Sequence, residues 1–456
     1  MRLAPADRAY KEVADTLHVH GWTPAGFVHA GTLQLEEAGD RDVRAQFSYA
    51  PEWVASEHAY PLDPINMASY RGRYATENAH VTLGAIFDAA PDAWGRRVVR
   101  ASVSAAEQHA VYRNAFLRGA DGIGALVLTP SAHTNIDEIV AMSLAERPKL
   151  SQLNAAARAA RELESTGEVS DDLRDMLAGS WTIGGARPKA IVSDDRPGAP
   201  AGRSLIAKFA TLREKVQTNR IEFAVLQMAA DMGMKVPGHE LVEVDGLPVL
   251  LLDRFDRGLG NARRHYLSAM SLVSTMPVSK FLDSPQDIEV FSWSNLMEVT
   301  SRVTAKPAAA RVEMFSRLAL NAALSNTDDH LKNFGMLKLA DDPMHYEIAP
   351  VFDVTPQASP SHYLHCLDLG RHYTLKDVMA RPRELGVSAA AAREVNDRIQ
   401  SVLARRAEYF EKAGLVGRDA HLVDEWIRRG LGEEPSDVEA PAAEDEPERN
   451  ERMRGG

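Results

Sequence analysis

The chain has 456 residues, enough for two or three domains that each bury a core, and its 45% apolar and 25% charged composition is ordinary for a globular protein. Its net charge of −12 excludes a chain that coats nucleic acid by bulk electrostatics, although half of that excess sits in the last 24 residues, with nine acids against three arginines. One cysteine, Cys366, excludes internal disulfides and multi-thiolate metal centres. No stretch approaches the roughly 18 uninterrupted apolar residues of a membrane span, so the expectation is a cytoplasmic protein with no membrane partner.

From Gly26 to Met67, apolar and polar residues alternate in short runs (GFVHAGTLQLE, VRAQFSYAPEWV), the period of a half-buried antiparallel sheet. Ala75 to Tyr112 turns helical around PDAWGRRVVRA, and DGIGALVLTP closes with a turn and a strand. Together they predict an accessory α+β subdomain over 1–132, with the charges near Trp94 as caps and surface pairs and Asp121 to Gly124 as a plain turn. Ile136 to Leu177 has the Ala-rich spacing of one or two helices. In GSWTIGGARPKAIVSDD, Gly184 and Gly185 let backbone amides approach an anion, with Arg187 or Lys189 adding charge; a Gly-Gly hairpin without function fits equally well.

SLIAKFAT is a buried strand whose apolar side is interrupted by Lys208, and a buried ammonium needs an anionic partner. Fourteen residues on, Glu222 lies in the first turn of an amphipathic helix, NRIEFAVLQMAADMGMKVP. A strand lysine paired with a helix glutamate is how kinases aim the lysine at nucleotide phosphates. HELVEVDGLPVLLLDRFDR gives two strands joined by a Val-Asp-Gly-Leu hairpin, then a linker from Asp253 to Arg257 whose backbone could bind an adenine edge, with Leu250 to Leu252 and Phe255 against the ring. The rest, to about residue 432, is mainly helical. Within it an apolar helix runs into Asn326, Asp328, Asp329, His330 and Asn333, and a strand-like run then delivers Asp353. Asp and Asn five apart followed by a further acid is a phosphoryl-transfer layout. The tail over 433–456 has almost no apolar residues and is expected to stay disordered.

Three stretches in order, Thr182-Ile-Gly-Gly-Ala-Arg-Pro-Lys189, Asn326-Thr-Asp-Asp-His-Leu-Lys-Asn-Phe334 and Ala349-Pro-Val-Phe-Asp353, resemble the HipA-like toxin kinases, serine/threonine kinases of bacterial toxin–antitoxin pairs. The resemblance implies a two-lobed α+β fold like that of protein kinases. It would have the accessory subdomain, a nucleotide-binding small lobe over 133–258 and an all-helical catalytic lobe over 259–432. It makes Asp328 the base that orients the substrate hydroxyl, in preference to its neighbour Asp329, and has Asn333 and Asp353 hold Mg²⁺. His330 and Lys208, the latter supported by Glu222, would meet the phosphates of ATP, and Asp253 and Phe255 the adenine. Gly184 and Gly185 would cover the phosphates with Lys189 beside them. Autophosphorylation of that loop would fall on Thr182, where serine is commoner in the family, or on Ser180; Trp181 stands where a small residue is usual. The implied substrate is an aminoacyl-tRNA synthetase, and the implied partner a helix-turn-helix antitoxin through which DNA is contacted indirectly. Two alternatives keep the fold: a nucleotide-sensing co-repressor with weak catalysis, and a small-molecule or lipid kinase.

Overall fold

The structure is a computed structural model and describes residues 15–37, 43–76, 83–104, 107, 110–177, 185–258, 262–273, 285–340, 342 and 344–433. The expectations for Ser180, Thr182 and Gly184, and for all but the first residue of the acidic tail, lie outside the described residues.

The alternating runs after Gly26 form β2 (Gly26–Glu37) and β3 (Val43–Tyr49), which with β1 (Asp15–Thr23), β4 (Arg73–Thr76) and β5 (Leu126–Thr129) make one antiparallel sheet in the order β4-β3-β2-β1-β5. Along β3, Val43, Ala45, Phe47 and Tyr49 are buried and the residues between them are not, so one face of the pleat meets the core.

The small lobe is a second antiparallel sheet, β6 (Lys189–Ser193), β7 (Ser204–Lys208), β8 (His239–Val244) and β9 (Leu247–Asp253), in the order β6-β7-β9-β8. Asp245 and Gly246 join β8 to β9 with φ of 51° and 75°, the two positive values that a type I′ hairpin needs. Both faces of this sheet are covered. Ala207, Val249 and Leu251 pack with Ala156 and Leu163 of the helix Leu153–Thr166, while Leu250 and Leu252 pack with Leu226 of the helix Thr218–Asp231. Lys208 stands opposite both Lys189 and Leu250 in the ladder, so both lysines share the face that the second helix covers.

Helices Trp293–Val303, Pro307–Leu324, Leu375–Ala380, Ala389–Leu403, Arg406–Lys412 and Gly417–Leu431 build most of the other lobe. The lobe is not helical throughout, and here the expectation is corrected. β10 (Tyr266–Ser268), β11 (Gly335–Lys338) and β12 (Tyr346–Ile348) pair antiparallel beside the polar loop. At three or four residues each, they are too short to show a period of two. Helix Pro307–Leu324 is buried at every residue from Met314 on, and its surround explains why the chain there is mostly apolar, with Ser316, Arg317 and Asn321 as the buried polar exceptions. Gly430 of the last helix lies against it; a Cβ there would come within 2.4 Å of the Ala322 carbonyl oxygen, so only glycine permits this approach.

The accessory subdomain is not a separate bead. Trp94 and Val98 of helix Ala93–Ser102 belong to the small lobe's core, whereas Leu267 and Leu272 share a core with the amino-terminal sheet. Among the described residues no helix is long and apolar enough to cross a membrane.

Candidate active site

A cleft of ≈ 710 Å³ separates the lobes, lined among others by Ile206, Lys208, Phe255, Asp328, Asn333 and Asp353. At its floor the Lys208 ammonium donates to Glu222 Oε1 and Oε2 at 2.7 and 2.9 Å and to Asp353 Oδ1 at 2.5 Å. The Asp353 N–H donates in turn to Glu222 Oε1 at 3.1 Å, so one carboxylate of the small lobe positions two groups. Burial opposes the charge on Lys208, but Asp353 and Glu222 outweigh it and hold its pKa above the ordinary lysine value. Burial likewise opposes ionisation of Asp353, and Lys208 and Lys189 overcome it, holding the carboxyl well below the usual range. Lys189, one strand over, is pulled down to about 8 by burial. Asp353 has φ of 55°, a left-handed backbone that an aspartate tolerates better than most residues.

The polar loop follows helix Pro307–Leu324 through Ser325, which has φ of 53°. Arg429 of the last helix pins this turn, donating to Ser325 Oγ at 2.6 Å and to the carbonyls of Gln357 and Ala358 at 2.5 and 2.7 Å. Beyond it the two adjacent aspartates diverge. Asp329 is fully buried and accepts hydrogen bonds from the Tyr363 and Leu364 N–H groups, the Trp293 indole and the Tyr373 hydroxyl, with His362 3.3 Å away. Asp328 projects into the cleft, 3.9 Å from His330 Nε2, and partial desolvation between the cleft walls raises its pKa, with Asp353 and Asp329 adding to the rise and His330 opposing it. Asn333 Nδ2 donates to the Asp328 carbonyl oxygen at 2.8 Å, which directs its amide oxygen away from that bond.

At the hinge, Phe255 faces Phe352 with ring centroids 5.5 Å apart, and both rings line the cleft. Asp253 also lines it, but its N–H donates to the Gly238 carbonyl at 2.7 Å and its carboxylate pairs with Arg203 at 2.8 Å. Gly185, the one loop glycine among the described residues, has φ of 87°, and a Cβ there would meet Lys189 Nζ at 2.5 Å.

Asp92 is a site residue that nothing in its local sequence marks as one. Its carboxylate accepts the Gly185 N–H at 2.8 Å and the Lys332 ammonium at 2.5 Å. Burial disfavours its charge, yet Lys332 and the Gly185 N–H hold its pKa below the usual carboxylate value. The Trp94 N–H donates to the Gly185 carbonyl at 3.2 Å and its indole to the Lys189 carbonyl at 2.9 Å. The accessory segment, expected to carry only caps and surface pairs, thus holds the end of the glycine loop. PDAWGRR was visible as a motif, but its partners lie 93 and 240 residues away.

Among the described residues no group of three or more His, Cys, Asp or Glu side chains could hold a metal alone. A nucleotide-bound Mg²⁺ needs only one or two protein oxygens, the rest being phosphate and water. The ionised Asp353 carboxylate and the Asn333 amide oxygen meet that requirement.

Residues 181–407 match the HipA-like C-terminal domain. Over 176 residues, 36% of this chain, the sequence is 26% identical to a putative kinase, Y4mE, of Sinorhizobium fredii, and this match spans 39% of that relative's length. In fold, 91% of the chain superposes on 96% of a chain from the HipA, HipB and operator DNA complex of Shewanella oneidensis MR-1, with a TM-score of 0.59 and 18% identity. A looser likeness, TM-score 0.38 and 13% identity over 51% of this chain and 86% of that one, is to a Helicobacter pylori proinflammatory kinase, CtkA.

Proposed function

We propose that this HipA-like chain, whose residues 181–407 form a HipA-like C-terminal domain, is an ATP- and Mg²⁺-dependent protein serine/threonine kinase. The observation that carries the reading is the Lys208–Glu222–Asp353 linkage, which shares one cleft with Asp328 and Asn333. Lys208, oriented by two oxygens of Glu222, presents a fixed positive charge to phosphate. Phe255 and Phe352 offer apolar faces to a base, and Ile206 and Leu252 line the same wall. Asp353 and Asn333 would hold the metal, which when bound supplies charge neutralisation at the transferring phosphoryl group. Asp328 is the carboxylate left free to accept the proton of a substrate hydroxyl and to aim its oxygen, since Asp329 is consumed by the loop.

The role as a toxin, the helix-turn-helix antitoxin partner, indirect contact with DNA and an aminoacyl-tRNA synthetase as substrate follow from the family resemblance and belong to the same reading. So does self-limitation by phosphorylation of Thr182 or Ser180. The likeness in fold to a chain of the HipA, HipB and operator DNA complex supports the antitoxin partner. The test of the reaction is γ-phosphate transfer to a protein hydroxyl by the wild type and by Asp328→Asn. The variant should lose roughly 10²- to 10⁴-fold in rate while still binding nucleotide. Equal labelling by both would remove Asp328 from the role.

A further inference from the structure

Beneath the hinge, away from the cleft floor, lies a buried cluster of charges that the kinase reading does not use. Arg254 donates to both oxygens of Asp256 at 3.0 and 2.8 Å and to Asp121 Oδ1 at 3.0 Å. Arg257 bonds Asp256 Oδ2 at 2.6 Å and the Gly122 and Gly124 carbonyls at 2.6 and 2.9 Å. Arg147 reaches Asp121 Oδ2 at 2.7 Å, and Arg263 donates to the Ala120 carbonyl at 2.6 Å and lies over the Phe27 ring. Four guanidinium groups therefore face two carboxylates, all with side chains nine-tenths or more buried or, for Arg263, 6% exposed overall. Arginine does not shed its proton in a protein, so the cluster carries two positive charges without a counter-charge.

That excess is not evenly shared. Asp121 and Asp256 are saturated by Arg147, Arg254 and Arg257, and burial together with the neighbouring arginines pushes the pKa of Arg263 far down, the mark of a guanidinium short of an anion. Two buried polar atoms here have no hydrogen-bond partner among the described residues, Arg263 Nη1 and Ser204 Oγ. Both residues line one small, partly open cavity of ≈ 10 Å³, together with Leu144, Arg147, Arg257, Gly202 and Gly258. The space suits one monatomic ion or one water and is too small for a phosphate or carboxylate group. A water would accept from Arg263 and Ser204 but leave the two charges uncompensated.

We infer that this cavity is a halide site, taking chloride in the cell, with Arg263 Nη1 and Ser204 Oγ as its donors. An ion there ties four parts of the chain together: the 120–124 turn, the end of the helix Ile136–Glu146 through Arg147, the start of β7 through Ser204, and the hinge. Its effect is on how firmly the lobes and the accessory subdomain are joined, not on the phosphoryl-transfer groups.

The test uses the full chain with sodium chloride, bromide or gluconate at equal ionic strength, which holds screening constant. Chloride and bromide should raise Tm by a few degrees over gluconate, saturably, as a ligand of the native state does. Crystals grown in bromide should give an anomalous peak beside Arg263 Nη1. Ser204→Ala, a small change that should fold, should reduce the halide effect, and Arg263→Met should abolish it. If Arg263→Met does not fold, the bromide peak in the wild type decides. Identical Tm in all three salts, an ordered water with no anomalous signal at the cavity, or a halide effect unchanged in Ser204→Ala with the peak elsewhere would each overturn the inference.

Discussion

Asp88 is a carboxylate at the edge of the cleft that accepts the Ser268 N–H, the Ser268 hydroxyl and the Ser271 hydroxyl at 2.7, 2.7 and 2.8 Å. Burial nevertheless pushes its pKa up to about 6, against those hydrogen bonds and the attraction of Lys332. In the unfolded chain it would titrate near 3.8, so between these values the folded protein binds more protons than the unfolded one. Stability contributed by this group is therefore full below pH 4 and falls as pH rises through 6, by on the order of 3 kcal/mol. Asp88→Asn keeps an acceptor oxygen and removes the titration. Its Tm relative to the wild type should climb between pH 4 and pH 7, and parallel pH curves for the two proteins would refute the assignment. The same residue scale explains why two adjacent aspartates could be told apart only partly in advance. The five-residue spacing to Asn333 pointed to Asp328, but that Asp329 is the anchor of the loop depends on Trp293, Tyr363 and Tyr373, which no local pattern connects to it.

At the scale of elements, what was legible in the sequence followed contact distance along the chain. Lys208 and Glu222 are 14 residues apart, on a strand and the helix after it, and an interrupted apolar face was enough to predict their pairing. The Asp245-Gly246 hairpin announced itself through one of the few dipeptides that readily accept two positive φ values. By contrast β10 was too short to register and β11 and β12 showed only as one strand-like run before Asp353, and the role of helix Ala93–Ser102 depends on partners far away in sequence. That helix begins at Asp92, whose carboxylate joins the glycine loop to Lys332 of the polar loop. Charge-assisted hydrogen bonds of this kind are worth about 1.5–3 kcal/mol each. If Asp92 holds the loop over a nucleotide, Asp92→Ala should lower kcat/KM for ATP by roughly 10- to 100-fold. Asp92→Asn, which keeps an acceptor for the Gly185 N–H but loses the pairing with Lys332, should recover part of this. A variant whose nucleotide KM and kcat match the wild type would reduce Asp92 to a surface pair.

For the whole molecule, the expected division at residue 132 describes the chain order better than the packing. The small lobe's sheet is covered on one face by Ala156, Ala159, Ala160 and Leu163 of a helix from its own segment, and the same core is completed by Trp94 from the accessory segment. A helix face made of alanines leaves space that a large ring must fill, and no local pattern marks where that ring comes from. Trp94 is 1% exposed and its indole N–H satisfies the Lys189 carbonyl, so it both fills the core and fixes the strand that follows the glycine loop. Trp94→Ala should therefore cost about 3–5 kcal/mol of stability in urea unfolding. Trp94→Phe, which keeps most of the ring and loses the hydrogen bond to a buried carbonyl, should cost less, about 1–3 kcal/mol. The same logic predicts that a chain shortened to 133–433 exposes this core and binds a hydrophobic dye, and that it regains a cooperative melt only when the accessory segment is supplied. A cooperative melt by the shortened chain alone, with Tm equal to that of the full protein, would show that the small lobe closes its core without Trp94.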